Sequence, residues 1–479
     1  FAAAQRSLLA HLPFPLTGAQ QRVLGEIAQD LSQPRPMLRL LQGDVGSGKT
    51  LVAATAIVAM VRAGYQAALM APTELLAEQH LINFRQWLTP LGIEVRLLAG
   101  RLRKAERDAT QAALLDGAVG VTIGTHASFQ DRVRFQRLGL IVVDEQHRFG
   151  VQQRLSLRDK GPEGQATHQL IMSATPIPRT LAQSLYADLD VSTIDELPPG
   201  RTPVRTVAIA NTRRDDVLAR IGEVCAAGRQ AYWVCTLVEV SEQLSAQAAE
   251  ETAALLREEL AHLRVGLVHG RMKADDKDAQ MRAFKEGRTQ LLVATTVIEV
   301  GVDVPNASIM IIENPERLGL SQLHQLRGRV GRGSVESQCV LLYQAPLSES
   351  AQARLTALRN SNDGFVIAQT DLDLRGPGEL LGRRQTGVVG MKIADPVRDA
   401  ARIPPLQTLA DRLLDTQPAM ALCVDFEVGW ITQIYLRNLA LIWLYYGGFH
   451  LYLYTLKREG THHKYNRKWP AKKSRVFLF

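Results

Sequence analysis

Residues 43–50 read GDVGSGKT, a loop of the form GxxxxGK[ST] between an apolar run (MLRLLQ, 37–42) and a helix-like stretch (TLVAATAIVAMVRA, 50–63). Few patterns restrict a fold so tightly, because a strand must end and a helix begin at the same glycine-rich turn. Backbone N–H groups then converge on phosphates at the helix N-terminus, Lys49 reaches the β/γ-phosphates, and Thr50 ligates magnesium. Gly43, Gly46 and Gly48 join Lys49 and Thr50 as candidate nucleotide contacts. By itself the pattern fits many nucleotide-binding proteins and also arises by chance. A second motif narrows it. The apolar run LGLIVV (138–143) leads into Asp144, Glu145, Gln146 and His147. The two carboxylates therefore sit at the C-terminal end of a buried strand, the edge at which open α/β sheets bind ligands. In this order and context, the two motifs predict a site for ATP and Mg²⁺.

Apolar runs alternate with helix-length amphipathic stretches from about residue 37 to 345, which indicates parallel α/β sheets. Strands are expected over 37–42, 66–71, 94–98, 119–123, 138–143 and 168–172. After the proline-rich stretch DELPPGRTPVRT (195–206), which reads as a linker, they are expected over 204–210, 230–235, 263–269, 289–295 and 307–313. The second series has no phosphate loop. Two similar sheets with one such loop imply nucleotide in the cleft between them.

The net charge of +8 looks at first like a nucleic-acid signal. Residues 419–479 carry nine Lys/Arg against three Asp/Glu, so the other 418 residues hold a net of only +2. Any case for DNA must come from motifs, not from overall charge. The four cysteines have no CxxC spacing, which points to neither a zinc site nor a disulfide framework and makes a cytoplasmic location the default. The N-terminus has no charged region followed by an apolar core, so no signal peptide is expected, and a start at Phe1 suggests a fragment.

The stretch QLRGRVGR (325–332) spaces Arg329 and Arg332 three apart, as fingers toward a γ-phosphate require. A solvated or RNA-binding basic turn is the alternative. With these motifs in hand, the chain resembles a superfamily 2 helicase across residues 14–345. Phe14-Pro15-Leu16-Thr17 with Gln20 resembles the adenine-reading Q motif. APTEL (71–75), GTH (124–126), SAT (173–175), HGRM (269–272) and ATTVIEVGVD (294–303) resemble further motifs in order. DEQHRFGVQQR (144–154), MSATPIPRTLA (172–182) and ENPERLGLSQLHQLRGRVGRG (313–333) narrow the resemblance to the RecG branch. The transcription-repair coupling factors are a close second. Gln146 and the segment 362–387, NDGFVIAQTDLDLRGPGELLGRRQTG, favour RecG. In both families that segment carries a helical hairpin; a packing helix with a Gly-rich loop is the alternative here.

The resemblance implies two tandem RecA-like parallel-sheet domains (1–198 and 199–348) and a small helical-hairpin region (349–418), an α/β architecture followed here by an apolar, foreign-looking C-terminal tail (419–479) that the family does not account for. It implies catalytic roles for Lys49, Asp144, Glu145, Gln325, Arg329 and Arg332. Asp144 would hold Mg²⁺ through water, with Thr50 as the other metal residue, and Glu145 would orient or deprotonate the attacking water. Gln325 would sense the γ-phosphate, and Gln20, Gly301 and Asp303 would lie near the nucleotide. Thr73, Thr125 and Thr295 are candidate DNA-backbone contacts. Arg375 and Gln385 are candidate coupling residues, with a solvated role as the alternative. The implied activity is an ATP-dependent DNA translocase or helicase that remodels forks and junctions in repair and recombination, as a monomer. The rivals are a coupling-factor-type duplex translocase, an RNA helicase and a remnant without activity.

Two departures stand out. The chain begins just before the Q motif, so the N-terminal wedge domain of RecG proteins is expected to be missing and selectivity for branched DNA weak. The tail holds 13 of the 27 aromatic residues, and the 19 residues 438–456 carry no charge and precede a basic flank. Such a run is long enough to span a membrane; a terminal core helix is the alternative. The tail faintly resembles a sterol desaturase or fatty-acid hydroxylase segment, yet it lacks the clustered histidines of a di-iron site, so no metal cluster is expected. Any membrane contact would run through this tail.

Overall fold

The computed structural model describes residues 1–11, 15–33, 35–100, 102–125, 129, 133–144, 167–174, 189–196, 203–236, 242–296, 304–331, 336–375, 405, 409 and 412. In chain order its first layer comprises α1 (Ala2–Leu9), α2 (Gly18–Leu31), β1 (Leu38–Gly43), α3 (Lys49–Arg62), β2 (Gln66–Ala71) and α4 (Glu74–Leu88). There follow β3 (Val95–Leu98), α5 (Lys104–Leu115), β4 (Val121–Thr125), β5 (Leu138–Asp144), β6 (His168–Ser173) and β7 (Asp190–Ile194). The second layer comprises β8 (Arg205–Ala210), α6 (Arg214–Ala226), β9 (Gln230–Cys235), α7 (Glu242–Glu259), β10 (Val265–Val268) and α8 (Ala274–Lys285). It continues through β11 (Leu291–Ala294), β12 (Ala307–Glu313), α9 (Leu320–Arg327), β13 (Gln338–Tyr343), α10 (Glu349–Asn360) and α11 (Gly364–Arg375).

The first sheet runs β3-β4-β2-β5-β6-β1-β7 and the second β10-β11-β9-β12-β13-β8, and each described strand pairing is parallel. Parallel strands covered on both faces must be apolar on both. The first sheet satisfies this by alternation, because successive side chains point to opposite faces. Leu41, Leu69, Val142 and Met172 pack with α2, α3 and α4 on one face, while Leu40, Met70, Val143 and Ile171 join Leu114 and Phe129 on the other. In the second sheet, Tyr232 and Val234 face one core and Trp233 and Cys235 the other.

Eleven of the thirteen strands among the described residues coincide with the expected runs, within a few residues at their ends. Two were not foreseen. β7 (DVSTI) is an edge strand on β1, and its mixed exposure gives it no clean apolar run. β13 (QCVLLY) inserts between β12 and β8. The stretch expected to be a linker falls between β7 and β8 and overlaps the start of β8 at Arg205.

Parallel pairing fixes where the chemistry falls. Leu41 of β1 and Asp144 of β5 both stand opposite Met172 of β6, so the loop after β1 and the carboxylate ending β5 open on the same sheet edge. The helical pair α10–α11 packs on α9, with Leu355, Leu358 and Ile367 buried in one core of the second sheet.

The chain divides into two compact units, Phe1–Val397 and Arg398–Phe479. Among the described residues no helix is long and apolar enough to cross a membrane. The run 438–456 lies outside the described residues, as does the rest of the tail expected over 419–479.

Candidate nucleotide site

The loop from Gly43 to Lys49 turns tightly because Gly46 and Gly48 adopt the left-handed backbone conformation, at φ 81° and 88°. A side chain at Gly48 would be strained by that backbone and would also collide with Nε2 of Gln20. α3 starts immediately afterwards, so its first N–H groups face the loop. Lys49 is buried, and its Nζ donates to the carbonyl oxygens of Gly43 (2.7 Å) and Asp44 (2.9 Å). A phosphate at Lys49 would have to exchange for these acceptors. The buried Ser47 hydroxyl has no hydrogen-bond partner among the described residues, a polar group turned into the same loop. These features fit a bound polyphosphate. The hydroxyl of Thr50, half-buried in the first turn of α3, and the carboxylate of Asp144 are hard oxygen donors of the kind Mg²⁺ takes.

Gln20 supports the loop from α2. Thr17 and Gln20 form a reciprocal capping box, with Gln20 N–H donating to Thr17 Oγ1 (3.2 Å) and Thr17 N–H to Gln20 Oε1 (3.0 Å). The Gln20 Nε2 then donates to the Ser47 carbonyl at 2.9 Å, and the residue is 3% exposed. The expected adenine-reading residue is thus engaged at both ends of its amide by protein.

Asp144 accepts a hydrogen bond of 2.9 Å from Nε2 of His80 on α4. The Nδ1 of His80 is buried without a hydrogen-bond partner among the described residues. His80 was not foreseen as part of the site; its only sequence signal is its place two turns into the helix that Thr73 caps.

The second sheet reaches the loop through α9 and the turn after it. His324 Nε2 lies 2.6 Å from Asp44 Oδ1, and a side chain on Gly328 would meet Val45 at 2.9 Å, so the glycine permits the approach. Asp44 Oδ2 also accepts from the Gly364 N–H at the start of α11 (3.2 Å). Burial opposes the charge on Asp44. The His324 contact, the Gly364 N–H and nearby Lys49 outweigh it and hold the carboxyl below its ordinary value. Arg327 is 3% exposed and donates to the carbonyls of Leu358 and Ser361, both at 2.7 Å, and to His324 Nδ1 at 2.9 Å.

The other expected residues separate into groups. Gln325 is buried on α9, and Arg329 is half-buried just beyond it. Thr73 is exposed and caps α4, its hydroxyl accepting from Leu76 N–H at 3.3 Å. Thr125 ends β4, half-buried. Thr295 follows β11, is 6% exposed, and its N–H donates to Val268 O. Arg375 is the last residue of α11. Glu145, Gly301, Asp303, Arg332 and Gln385 lie outside the described residues. Cys225, Cys235 and Cys339 are buried, and burial pushes their thiols up to about 11, 12 and 12, which removes them as nucleophiles at neutral pH.

Three family models match: DEAD/DEAH box helicase over residues 17–184, helicase conserved C-terminal domain over 217–334, and ATP-dependent DNA helicase RecG, domain 3, C-terminal, over 361–444. The last runs past residue 418, into the segment expected to be tail. ATP-dependent DNA helicase RecG of Escherichia coli K12 is 63% identical over 419 residues, covering 87% of this chain and 60% of the relative. The Pasteurella multocida protein of the same name is 60% identical over 431 residues, covering 90% and 62%. The chain therefore spans about three fifths of the length of the curated relatives it matches. Among solved structures, RecG bound to a three-way DNA junction aligns with a TM-score of 0.71 at 43% identity, covering 84% of this chain and 52% of that one. Mycobacterium smegmatis helicase Lhr bound to ssDNA and AMP-PNP aligns at 0.54 with 20% identity, covering 78% and 50%, a likeness of fold alone.

Proposed function

We propose that this chain, matched by helicase models on both sheets and a RecG model beyond them, is the motor of an ATP-dependent DNA helicase of the RecG type that remodels branched DNA in repair and recombination. Forks and four-way junctions are the substrates this reading favours. One observation carries it beyond similarity: Asp44 and Val45 of the phosphate loop lie against His324 and Gly328 of the second sheet's α9 segment. A motor needs that meeting, because movement between two sheets must depend on what the phosphate loop holds.

In this reading ATP is the substrate. Lys49 exchanges its loop carbonyls for the β/γ-phosphates, and the N–H groups at the start of α3 bind the phosphate oxygens. Thr50 and Asp144 would hold Mg²⁺, which would supply positive charge beside the phosphates. Glu145, following Asp144, orients the attacking water. Arg329 and Arg332 bring positive charge from the second sheet, which confines hydrolysis to the closed cleft. Gly301 and Asp303 keep the nucleotide-binding role that their motif suggests, and Gln325, on α9, would report the γ-phosphate. Thr73 and Thr125 face DNA at the edge of the first sheet, binding phosphates without reading sequence, and Arg375 and Gln385 transmit movement to the duplex.

Hydrolysis of ATP by the 479-residue chain tests the reading, measured alone and with linear duplex, three-way junction, four-way junction or RNA. Stimulation by DNA and none by RNA is the expected result. Stimulation by RNA in place of DNA would establish the RNA-helicase reading, and no stimulation by any of them an inactive remnant.

A further inference from the structure

The contact that joins the phosphate loop to the second sheet does not stop at α9. Asp44 uses both carboxylate oxygens. Oδ1 meets His324 Nε2, and Oδ2 takes the first N–H of α11, at Gly364. His324 continues the first branch: its Nδ1 receives a hydrogen bond from Arg327, whose other amino group holds the carbonyls of Leu358 and Ser361. The two branches reunite on the turn between α10 and α11. A guanidinium can only donate, so Nδ1 of His324 accepts from Arg327 and Nε2–H donates to Asp44. The cluster is largely closed to water, with the His324 side chain 7% and the Asp44 side chain 16% exposed.

Asp44 is also the residue whose backbone carbonyl accepts from Lys49. One residue thus holds the phosphate-binding lysine with its main chain and the α10–α11 pair with its side chain. Displacing Lys49 from Asp44 O changes the setting of the residue that caps α11, where the N–H groups favour a negative charge. Ser321 Oγ donates to Asp371 Oδ2 at 3.0 Å and ties α9 to α11 two turns further along, so a shift at the start of α11 is carried by α9 as well.

We propose that Asp44, His324 and Arg327 form a positioning relay that links phosphate binding at the loop directly to the α10–α11 pair. The relay rests on the translocase reading for its use, and it adds a second route beside the arginines that follow α9. None of the three residues touches the reacting atoms; they set where the helical pair stands when the loop changes partner.

Two measurements on the full chain test this. In the first, ATP hydrolysis is compared with and without linear duplex for His324→Leu, His324→Gln, Asp44→Asn and the Asp44→Asn/His324→Leu double variant. His324→Leu is expected to keep DNA-independent hydrolysis within about two-fold and to lose about ten-fold of the DNA-stimulated rate, the scale of a buried hydrogen bond to a charged group. His324→Gln, whose amide can donate to Asp44 and accept from Arg327, should recover most of that loss. The double variant should fall no further than His324→Leu alone, because both changes cut one link. Additive losses, or an equal fall with and without DNA, would overturn the relay.

The second measurement is hydrogen–deuterium exchange of the peptide spanning 361–367. Its amides should exchange about ten-fold faster in His324→Leu than in the parent chain. Unchanged exchange would overturn the relay whatever the hydrolysis shows. A parent chain with no response to DNA would count against the translocase reading and leave the exchange result to decide the relay.

Discussion

Replacing Glu145 by glutamine is expected to leave ATP binding intact and to slow its turnover by about 10³-fold, within the range that a positioned acid–base group supplies. The argument starts from β5. Its buried run ends at Asp144, which stands opposite Met172 on the same sheet edge as the phosphate loop. Glu145 is the next residue in the sequence. Glutamine keeps the shape and one acceptor oxygen but loses the charge and basicity that orient water. In the proposed reading, binding rests on Lys49, Thr50 and the loop N–H groups, which the substitution does not touch. Equilibrium binding of ATP beside steady-state hydrolysis separates these effects. Normal hydrolysis would remove Glu145 from the reaction, and lost binding would make its role structural.

The second large effect is expected at Arg329. Arg329→Ala should lower the hydrolysis rate by about 10³-fold or more at saturating ATP with little change in apparent affinity, because a finger acts on charge that develops in the transition state. Arg329→Lys should recover only part of it, since a point charge does not reproduce a planar fork. Arg327, two residues earlier, shows what a structural arginine in the same motif looks like. It is 3% exposed and holds two carbonyls and a histidine, so Arg327→Ala should lower stability by about 3 kcal/mol, as losing a buried hydrogen-bonded charge does. A large loss of affinity in Arg329→Ala, with the maximal rate preserved, would refute the finger role.

Much of this was legible in the sequence, and the reasons are local. A parallel sheet buried on both faces writes itself as a near-continuous apolar run, so β1, β2, β5, β9 and β12 could be read directly. β7 could not, because an edge strand with alternating exposure has no such run. The phosphate loop was legible because its glycines and Lys49 answer to a ligand. Asp44, between Gly43 and Val45, answers to a residue 280 positions away in the chain, and no local pattern encodes such a partner. His324 and Arg327 share a helical face by their spacing of three, yet the motif drew attention to the arginines beyond them. Thr295, one residue past β11, is buried, and nothing in its motif announces that burial.

The central claim is that ATP drives this chain along duplex DNA. Displacement of a labelled third strand from a DNA triplex measures that directly, since a motor moving on the duplex strips the third strand without any need to unwind. The account predicts displacement by the parent chain with ATP, none with a non-hydrolysable analogue, and none by the Glu145→Gln variant. Hydrolysis stimulated by duplex DNA without displacement of the third strand would contradict it.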